Sequence, residues 1–329
     1  MFIMTLIMAL FLALILALIP HIVWFFIFII SKIGGFHVSY TPFGWTALVL
    51  VLVCWLILAY GVFIGRWKLT VNTIDYQHSD IPAAFDGYKI VHISDLHLST
   101  FNDNPKKLHQ FVDKINSLEP DLVCFTGDLV TIGVAEAEPY LNDLRRIQAR
   151  DGVVSVLGNH DFLLYARRFQ DKTQQDAALD SLVRFQRDLL GWKLLRNENC
   201  IIQRGSDSIT VIGVDNVNNS KQGFRTINSG DLSKAAANTD GFRILLSHDP
   251  SHWSAEVVPN TDIQLTLSGH THAAQFRIFG WSPAQWMFQH VDGLHEKEGQ
   301  TLYINIGLGC TVPFRIGANP EITLIRLKK

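Results

Sequence analysis

The chain has 329 residues, with 28 Lys+Arg against 30 Asp+Glu and a formal net charge of −2. That length fits one or two domains, and the near-neutral balance excludes the basic surface expected of a nucleic-acid-binding domain. Hydrophobic residues make up 48 % and charged residues 18 %, and the imbalance is local: Lys32 is the only charged side chain in the first 65 residues.

Crossing a hydrocarbon layer takes roughly 20 apolar residues. "TALVLVLVCWLILAYGVFIG" (46–65) meets that length, with Trp45 before it and the aromatic and cationic "RWK" (66–68) after it, as an interfacial anchor would be. The first apolar run is longer and is interrupted at Pro20-His21. It reads either as one kinked span or as a span near 2–19 followed by a short second element. Two crossings are expected in all, near 2–31 and 45–65, so that residues 1–68 form a transmembrane anchor. The alternative, a buried core hairpin, seldom needs two such runs back to back. A cleaved signal peptide is disfavoured because no cationic segment follows Met1. Lys32 lies between the spans, whereas Arg66 and Lys68 follow the second. The cation excess predicts an inner-membrane protein with its C-terminal side in the cytoplasm.

Residues 66–329 hold 27 basic and 30 acidic side chains, a net −3, again no footprint for nucleic acid. Cys54 lies in a span. Cys124, Cys200 and Cys310 form neither a disulfide framework nor a Cys-x-x-Cys knuckle, and they read as small core residues.

After Lys68, short apolar runs alternate with amphipathic ones. Strands are predicted at 69–76, 88–94, 121–127 and 152–158, and helices at 104–120 and 137–150. This order implies right-handed crossovers and parallel neighbours. Residues 164–190 carry mixed charge at helical spacing and read as a helical insertion. Further strands are predicted at 200–204, 208–214, 241–248, 262–269, 301–307 and 321–327. The expected architecture is a layered α/β fold, two packed sheets with helices outside.

The strand ends read "SDLH" (94–97), "TGD" (126–128), "GNHD" (158–161), "SHD" (247–249) and "SGHTH" (268–272). Ligands bind outside the carboxyl ends of strands in α/β folds. Each string has a bland reading alone, as turn chemistry, a helix cap or a satisfied core histidine. Five in series are harder to explain, because unpaired carboxylates and imidazoles on one rim would cost several kcal/mol each. A multivalent cation removes that cost. Oxygen and imidazole ligands without thiolate suit Mn²⁺, Fe or Zn²⁺.

The series Asp95-x-His97, Gly127-Asp128, Gly158-Asn159-His160-Asp161, His248 and Gly269-His270-x-His272 resembles that of the calcineurin-like metallophosphoesterases. "GHTHAAQ" (269–275), "IGLGCTVPFR" (306–315) and "NPEITL" (319–324) are similar to the membrane-anchored bacterial branch of that family. The resemblance implies a four-layer α/β/β/α sandwich of two mixed sheets over residues 69–329. It implies a metal-dependent phosphoric ester hydrolase with two metal ions. Asp95, His97 and His272 would hold the first ion, and Asn159, His248 and His270 the second, with Asp128 bridging both. His160 would face the substrate phosphate as the catalytic group, and a hydroxide bridging the metals would be the nucleophile. Relatives include hydrolases of UDP-2,3-diacylglucosamine, so a lipid-linked phosphoester or pyrophosphate is the expected substrate. A non-catalytic membrane sensor or scaffold is the competing reading, and a nuclease is disfavoured by the acidic soluble part.

Three departures stand out. Ala273-Ala274 replaces the usual Gly-Gly. "GVDN" (213–216) lacks an acidic pair. Ile306 stands where many relatives carry Arg, leaving Arg315, Arg167 or Arg168 to contact phosphate. His92 and His109 read as structural, and His252 and His290 lack matched partners. The aromatic "FRIFGWSPAQWMF" (276–288) reads either as core packing under a loop or as an apolar lip for an acyl chain.

Overall fold

The computed structural model describes residues 2–102, 104–166, 169, 171–220 and 226–329. Arg167 and Arg168 lie outside the described residues.

The chain divides into two compact units, one of Met1–Arg66 with Val312–Ile316, the other of Trp67–Thr311 with Gly317–Lys329. In the first, α1 (Phe2–Gly34) and α2 (Thr41–Phe63) pack on each other. α1 runs through Pro20 as one helix, so the choice between a kinked span and two pieces resolves to one element. Tyr40 Oη and His21 Nε2 lie 2.7 Å apart, which ties the helices near their connection. Two stretches, Ala9–Gly34 and Thr41–Trp67, are long and apolar enough to cross a membrane, and only 11 % and 22 % of their most apolar windows are buried. A soluble core hairpin would show the opposite.

The second unit holds two six-stranded sheets. In chain order the strands are β1 (Thr70–Gln77), β2 (Lys89–Ile93), β3 (Leu122–Phe125), β4 (Val153–Ser155), β5 (Lys193–Leu194), β6 (Glu198–Arg204), β7 (Asp207–Gly213), β8 (Arg243–Leu246), β9 (Leu265–Ser268), β10 (Gly293–Lys297), β11 (Gln300–Ile304) and β12 (Glu321–Lys328). The first sheet runs β1-β12-β2-β3-β4-β5, with β2 to β5 parallel and β12 antiparallel to β2. The second runs β10-β11-β9-β8-β7-β6, parallel from β11 to β7, with antiparallel strands at both edges. Both sheets are mixed, as expected.

The central strands are apolar on both faces because both faces are covered. In β3, Leu122 and Cys124 enter the core between the sheets, while Val123 and Phe125 face the outer helices. Against that outer face α3 (Pro105–Asn116) buries Leu108, Phe111, Val112 and Ile115, the 3–4 spacing read from the sequence. On the far sheet Ile212, Leu245, Leu302 and Ile304 pack under Trp253 and Val257. The layers are therefore α/β/β/α.

One element differs from expectation. The helix predicted at 137–150 shortens to a 3₁₀ turn at Glu138–Tyr140 and α4 (Leu141–Arg145). Ala137, Tyr140, Leu144 and Ile147 keep the expected core-facing spacing, and Pro139 in the 3₁₀ turn has no N–H with which to continue a helix through it. The insertion at 164–190 contributes α5 (Lys172–Arg184), capped by Asp171, whose side chain accepts from Gln174 N.

Candidate metal centre

Five loops at the carboxyl ends of β2, β3, β4, β8 and β9 converge. Asp95 and His97 follow β2, Asp128 follows β3, Asn159 and His160 follow β4, His248 follows β8, and His270 and His272 follow β9. Of the seven expected ligands, five have left-handed backbone: Asp95 (φ 50°), His97 (38°), Asp128 (59°), His270 (74°) and His272 (48°). Such residues cost of order 1–3 kcal/mol each and persist where the surroundings over-determine them. Glycines let these loops touch. A Cβ at Gly158 would lie 2.2 Å from Asp128 Oδ1, and one at Gly269 would lie 1.9 Å from Ser94 Oγ.

The side chains form two groups. In one, His272 Nε2 lies 3.2 Å from both Asp95 Oδ1 and His97 Nε2. In the other, His248 Nε2 lies 3.2 Å from Asp128 Oδ2, 3.1 Å from Asn159 Oδ1 and 3.2 Å from His270 Nδ1. Asp128 Oδ2 also stands 3.5 Å from His97 Nε2, so one oxygen faces both groups. The other Asp128 oxygen accepts a hydrogen bond from His160 N at 2.8 Å. His270 and His272, two residues apart in sequence, enter different groups.

The arrangement fits cations. One nitrogen, His248 Nε2, faces three polar atoms at once, and a single proton cannot serve them all. Its Nδ1 is 2.7 Å from Thr126 O, which fixes the tautomer with Nε2 as the lone-pair atom. Asn159 Nδ2 donates to Tyr165 Oη (3.0 Å), which turns Oδ1 toward His248. Asp95 Oδ1 is buried, and among the described residues it faces imidazole nitrogens, His272 Nε2 at 3.2 Å and His97 Nε2 at 3.9 Å. Charge tells the same story. Burial would lower the His248 pKa, but Asp128 and Asp95 raise it to about 10. Burial would raise Asp95, yet His272, His248 and His97 hold it well below the usual carboxylate range. The pocket attracts positive charge. Asp95–His97–His272, Asp128–His248–His270 and His97–Asp128–His160 each bring their ligand atoms within 4.8 Å of one another.

His160 is set apart. Its Nδ1 is 2.9 Å from Thr131 O, its ring meets His97 edge-to-face at 4.8 Å, and Tyr165 packs at 4.4 Å on its side. It is only partly buried, as is His270, whereas His97, His248 and His272 are buried.

Three further residues support the centre. The Asp161 carboxylate accepts from Asp128 N (2.8 Å), Gly158 N (3.0 Å), Leu129 N (2.9 Å) and Val130 N (3.2 Å). Burial and the Asp128 charge push its pKa up, to about 7, while the Gly158 and Val130 N–H groups pull it down. With only donors around it, a proton on Asp161 would have no acceptor to face. Asp249 Oδ2 lies 3.5 Å from His270 Nε2, opposite the nitrogen that enters the site. Tyr165 contacts both Asn159 and His160. Asp161 and Asp249 stand beside histidines in the sequence, which was the signal available for them; Tyr165 gave none.

Other sequence candidates lie elsewhere. His92 is fully buried with Nε2 2.9 Å from Thr126 Oγ1, and His109 sits at the surface 2.5 Å from Asp143. His252 is a buried structural residue with Ser247 Oγ at 2.9 Å and Glu256 at 3.1 Å. The His290 ring meets that of His295 at a tilt (4.4 Å) and that of Trp253 edge-on (5.4 Å). Ile306 is buried in an apolar cluster. Arg315 is fully buried within the unit of the apolar helices.

Residues 88–274 match the family model of the calcineurin-like phosphoesterases. The chain is a calcineurin-like metallophosphoesterase. Among curated proteins, it is 27 % identical to the metallophosphoesterase YkoQ of Bacillus subtilis over 77 % of this chain and 88 % of that one. It is 30 % identical to YkuE of the same organism, over 79 % and 85 %. A Bos taurus "transmembrane protein with metallophosphoesterase domain" is 28 % identical over 84 % of this chain and 61 % of its own length. The metallophosphoesterase family is metal-dependent, and this member clusters side chains that could hold metal ions.

Proposed function

We propose that this protein is a membrane-anchored phosphoesterase that hydrolyses a phosphoester or pyrophosphate bond of a lipid-linked substrate. The observation that carries the reading is the pair of ligand groups meeting at Asp128 Oδ2. In this reading residues 1–68 are the anchor and 69–329 the catalytic domain. Asp95, His97 and His272 hold one cation, Asn159, His248 and His270 the other, and Asp128 both. Mn²⁺, Fe and Zn²⁺ all suit such oxygen and imidazole ligands.

When bound, the two cations supply Lewis acidity toward the phosphoryl oxygens and activate water at neutral pH. The chain's own residues do the rest. Asn159 is oriented by Tyr165 and His270 by Asp249. His160, its Nδ1 donating to Thr131 O, presents Nε2 to a phosphoryl oxygen, where it stabilises charge and hands a proton to the leaving oxygen. Next to Phe288, whose ring lies 5.4 Å from His270, a cavity of about 370 Å³ lined by Pro250, Ser251, Ser254 and His290 offers space for a leaving group.

Membrane anchorage is supported by the two exposed apolar helices and by the transmembrane name of the bovine relative. Arg66 and Lys68 after the second helix favour a cytoplasmic catalytic domain on an inner membrane. A reporter fused at Lys329 tests that orientation.

The activity test is hydrolysis of an aryl phosphodiester, an aryl phosphomonoester and a nucleoside-diphosphate lipid by the Mn²⁺-loaded full chain. Turnover that is lost in Asp128→Asn and strongly reduced in His160→Ala is expected. Metal-independent turnover, or none on any of the three, refutes the reading and favours a sensor or scaffold.

A further inference from the structure

The loop after the last two site histidines carries an apolar surface that its own unit leaves open. Phe279 is fully exposed and Trp286 is 78 % exposed, and Ile278 and Trp281 are 42 % and 41 % exposed. The backbones of Ile278 and Trp281 pair in both directions at 2.9 Å, with positive φ at Phe279 (50°) and Gly280 (82°). That is a tight hairpin turn, and Phe279 stands at its tip. The Trp281 and Trp286 rings meet at 5.5 Å behind it.

The inner face of the same loop is fixed to the metal centre. Ala284, Phe288 and Val291 pack with Ala273, and Ser282 Oγ donates to Ala273 O at 2.6 Å. Phe288 stands edge-on to His270. The apolar tip is therefore held by the turn that carries His270 and His272.

Its chemistry indicates what covers it. Residues 278–291 contain no Asp, Glu, Lys or Arg, and Arg277 and Asp292 close the base as an ion pair at 3.1 Å. Trp concentrates where a bilayer meets water, whereas the rim of a protein–protein interface is polar. Only residues 64–66 separate the end of α2 from Trp67, where the phosphoesterase unit begins.

We infer that the Ile278–Trp286 hairpin inserts into the lipid–water interface and holds the metal centre at head-group level, so that the enzyme takes its phosphoester from a lipid still embedded in the bilayer. The insertion rests on the membrane anchorage proposed above and is read independently of turnover, while the lipid substrate rests on the phosphoesterase reading proposed there.

All four native cysteines are buried, so Phe279→Cys and, as a second site, Trp286→Cys each add one accessible thiol. The full chain in lipid nanodiscs is labelled there with an environment-sensitive fluorophore. Ser206→Cys, on the exposed turn between β6 and β7, is the control. Emission from 279 and 286 is expected to shift to the blue and to be quenched by lipids brominated below the head group, while emission from 206 does neither. Emission from 279 and 286 indistinguishable from 206 overturns the inference. So does a blue shift without bromolipid quenching, which signals cover by protein, such as a second copy. A chain that fails to enter nanodiscs counts against the anchorage. The same labels are then read with added vesicles of the same lipids, where quenching supports insertion and its absence overturns it.

Discussion

Ala273 and Ala274 occupy left-handed backbone, at φ 47°, ψ 38° and φ 49°, ψ 24°, where the resemblance leads one to expect glycine. The left-handed conformation costs a residue with a Cβ about 1–2 kcal/mol. Glycine removes that cost but loses roughly 0.5–1 kcal/mol more conformational entropy on folding. Ala274→Gly should therefore stabilise by about 0.5–1 kcal/mol. At 273 another effect enters. Ala273 is fully buried among Ala284, Phe288, Val291, Ile306 and Ala318, and deleting a buried methyl costs about 0.8 kcal/mol. Ala273→Gly should come out near neutral. For a unit of this size 1 kcal/mol moves Tm by about 2–4 °C. Thermal unfolding of the purified full chain, at one scan rate and in one detergent, should show Ala274→Gly up by about 2 °C and Ala273→Gly unchanged within about 1 °C. A lower Tm for Ala274→Gly, or a larger gain at 273 than at 274, refutes the reasoning.

Asp161→Asn turns one acceptor oxygen into a donor facing backbone N–H groups, so it should cost about 2–4 kcal/mol and lower Tm; a loss under about 1 kcal/mol would show that those four bonds matter little. Asp249→Asn should weaken metal binding by about 10–100-fold, measured by calorimetric titration of Mn²⁺, with unchanged affinity counting against its role in orienting His270. Burial holds the His92 pKa down at about 3, below an unfolded value near 6.5. The unfolded chain therefore takes up a proton first, and stability present above pH 6.5 is lost on acidification toward pH 3. The loss is about 2 kcal/mol by pH 5. His92→Gln should flatten that part of the stability–pH curve, and an unchanged slope would assign it to other groups.

The sheets were legible because their central strands are covered on both faces. Val123, Cys124 and Phe125 read as one apolar run since each lands in a core. β10, "GLHEK", and the two-residue β5 were not, because edge strands need no such pattern. The site was legible for a related reason. Each parallel strand stops in a loop, and residues that would be costly there without a cation stood out against the apolar text before them. What the sequence could not carry was the support. Asp161 serves backbone N–H groups some thirty positions earlier, and nothing in "GNHD" separates that task from ligation.

The left-handed ligands were hidden for a deeper reason. Positive φ outside Gly is uncommon even for Asn, Asp and His, in which it is enriched, so the letters alone do not mark His97, His270 and His272 as left-handed. The same twist that strains each residue turns its side chain into the cluster. Gly158 and Gly269 matter for the same purpose from the other side, because their missing Cβ atoms let the strained loops close on Asp128 and Asp95. Strain, close approach and ligand placement are thus one feature read three ways. A cation held there, as proposed above, would offset the strain and the buried charge of Asp95 and Asp128 together.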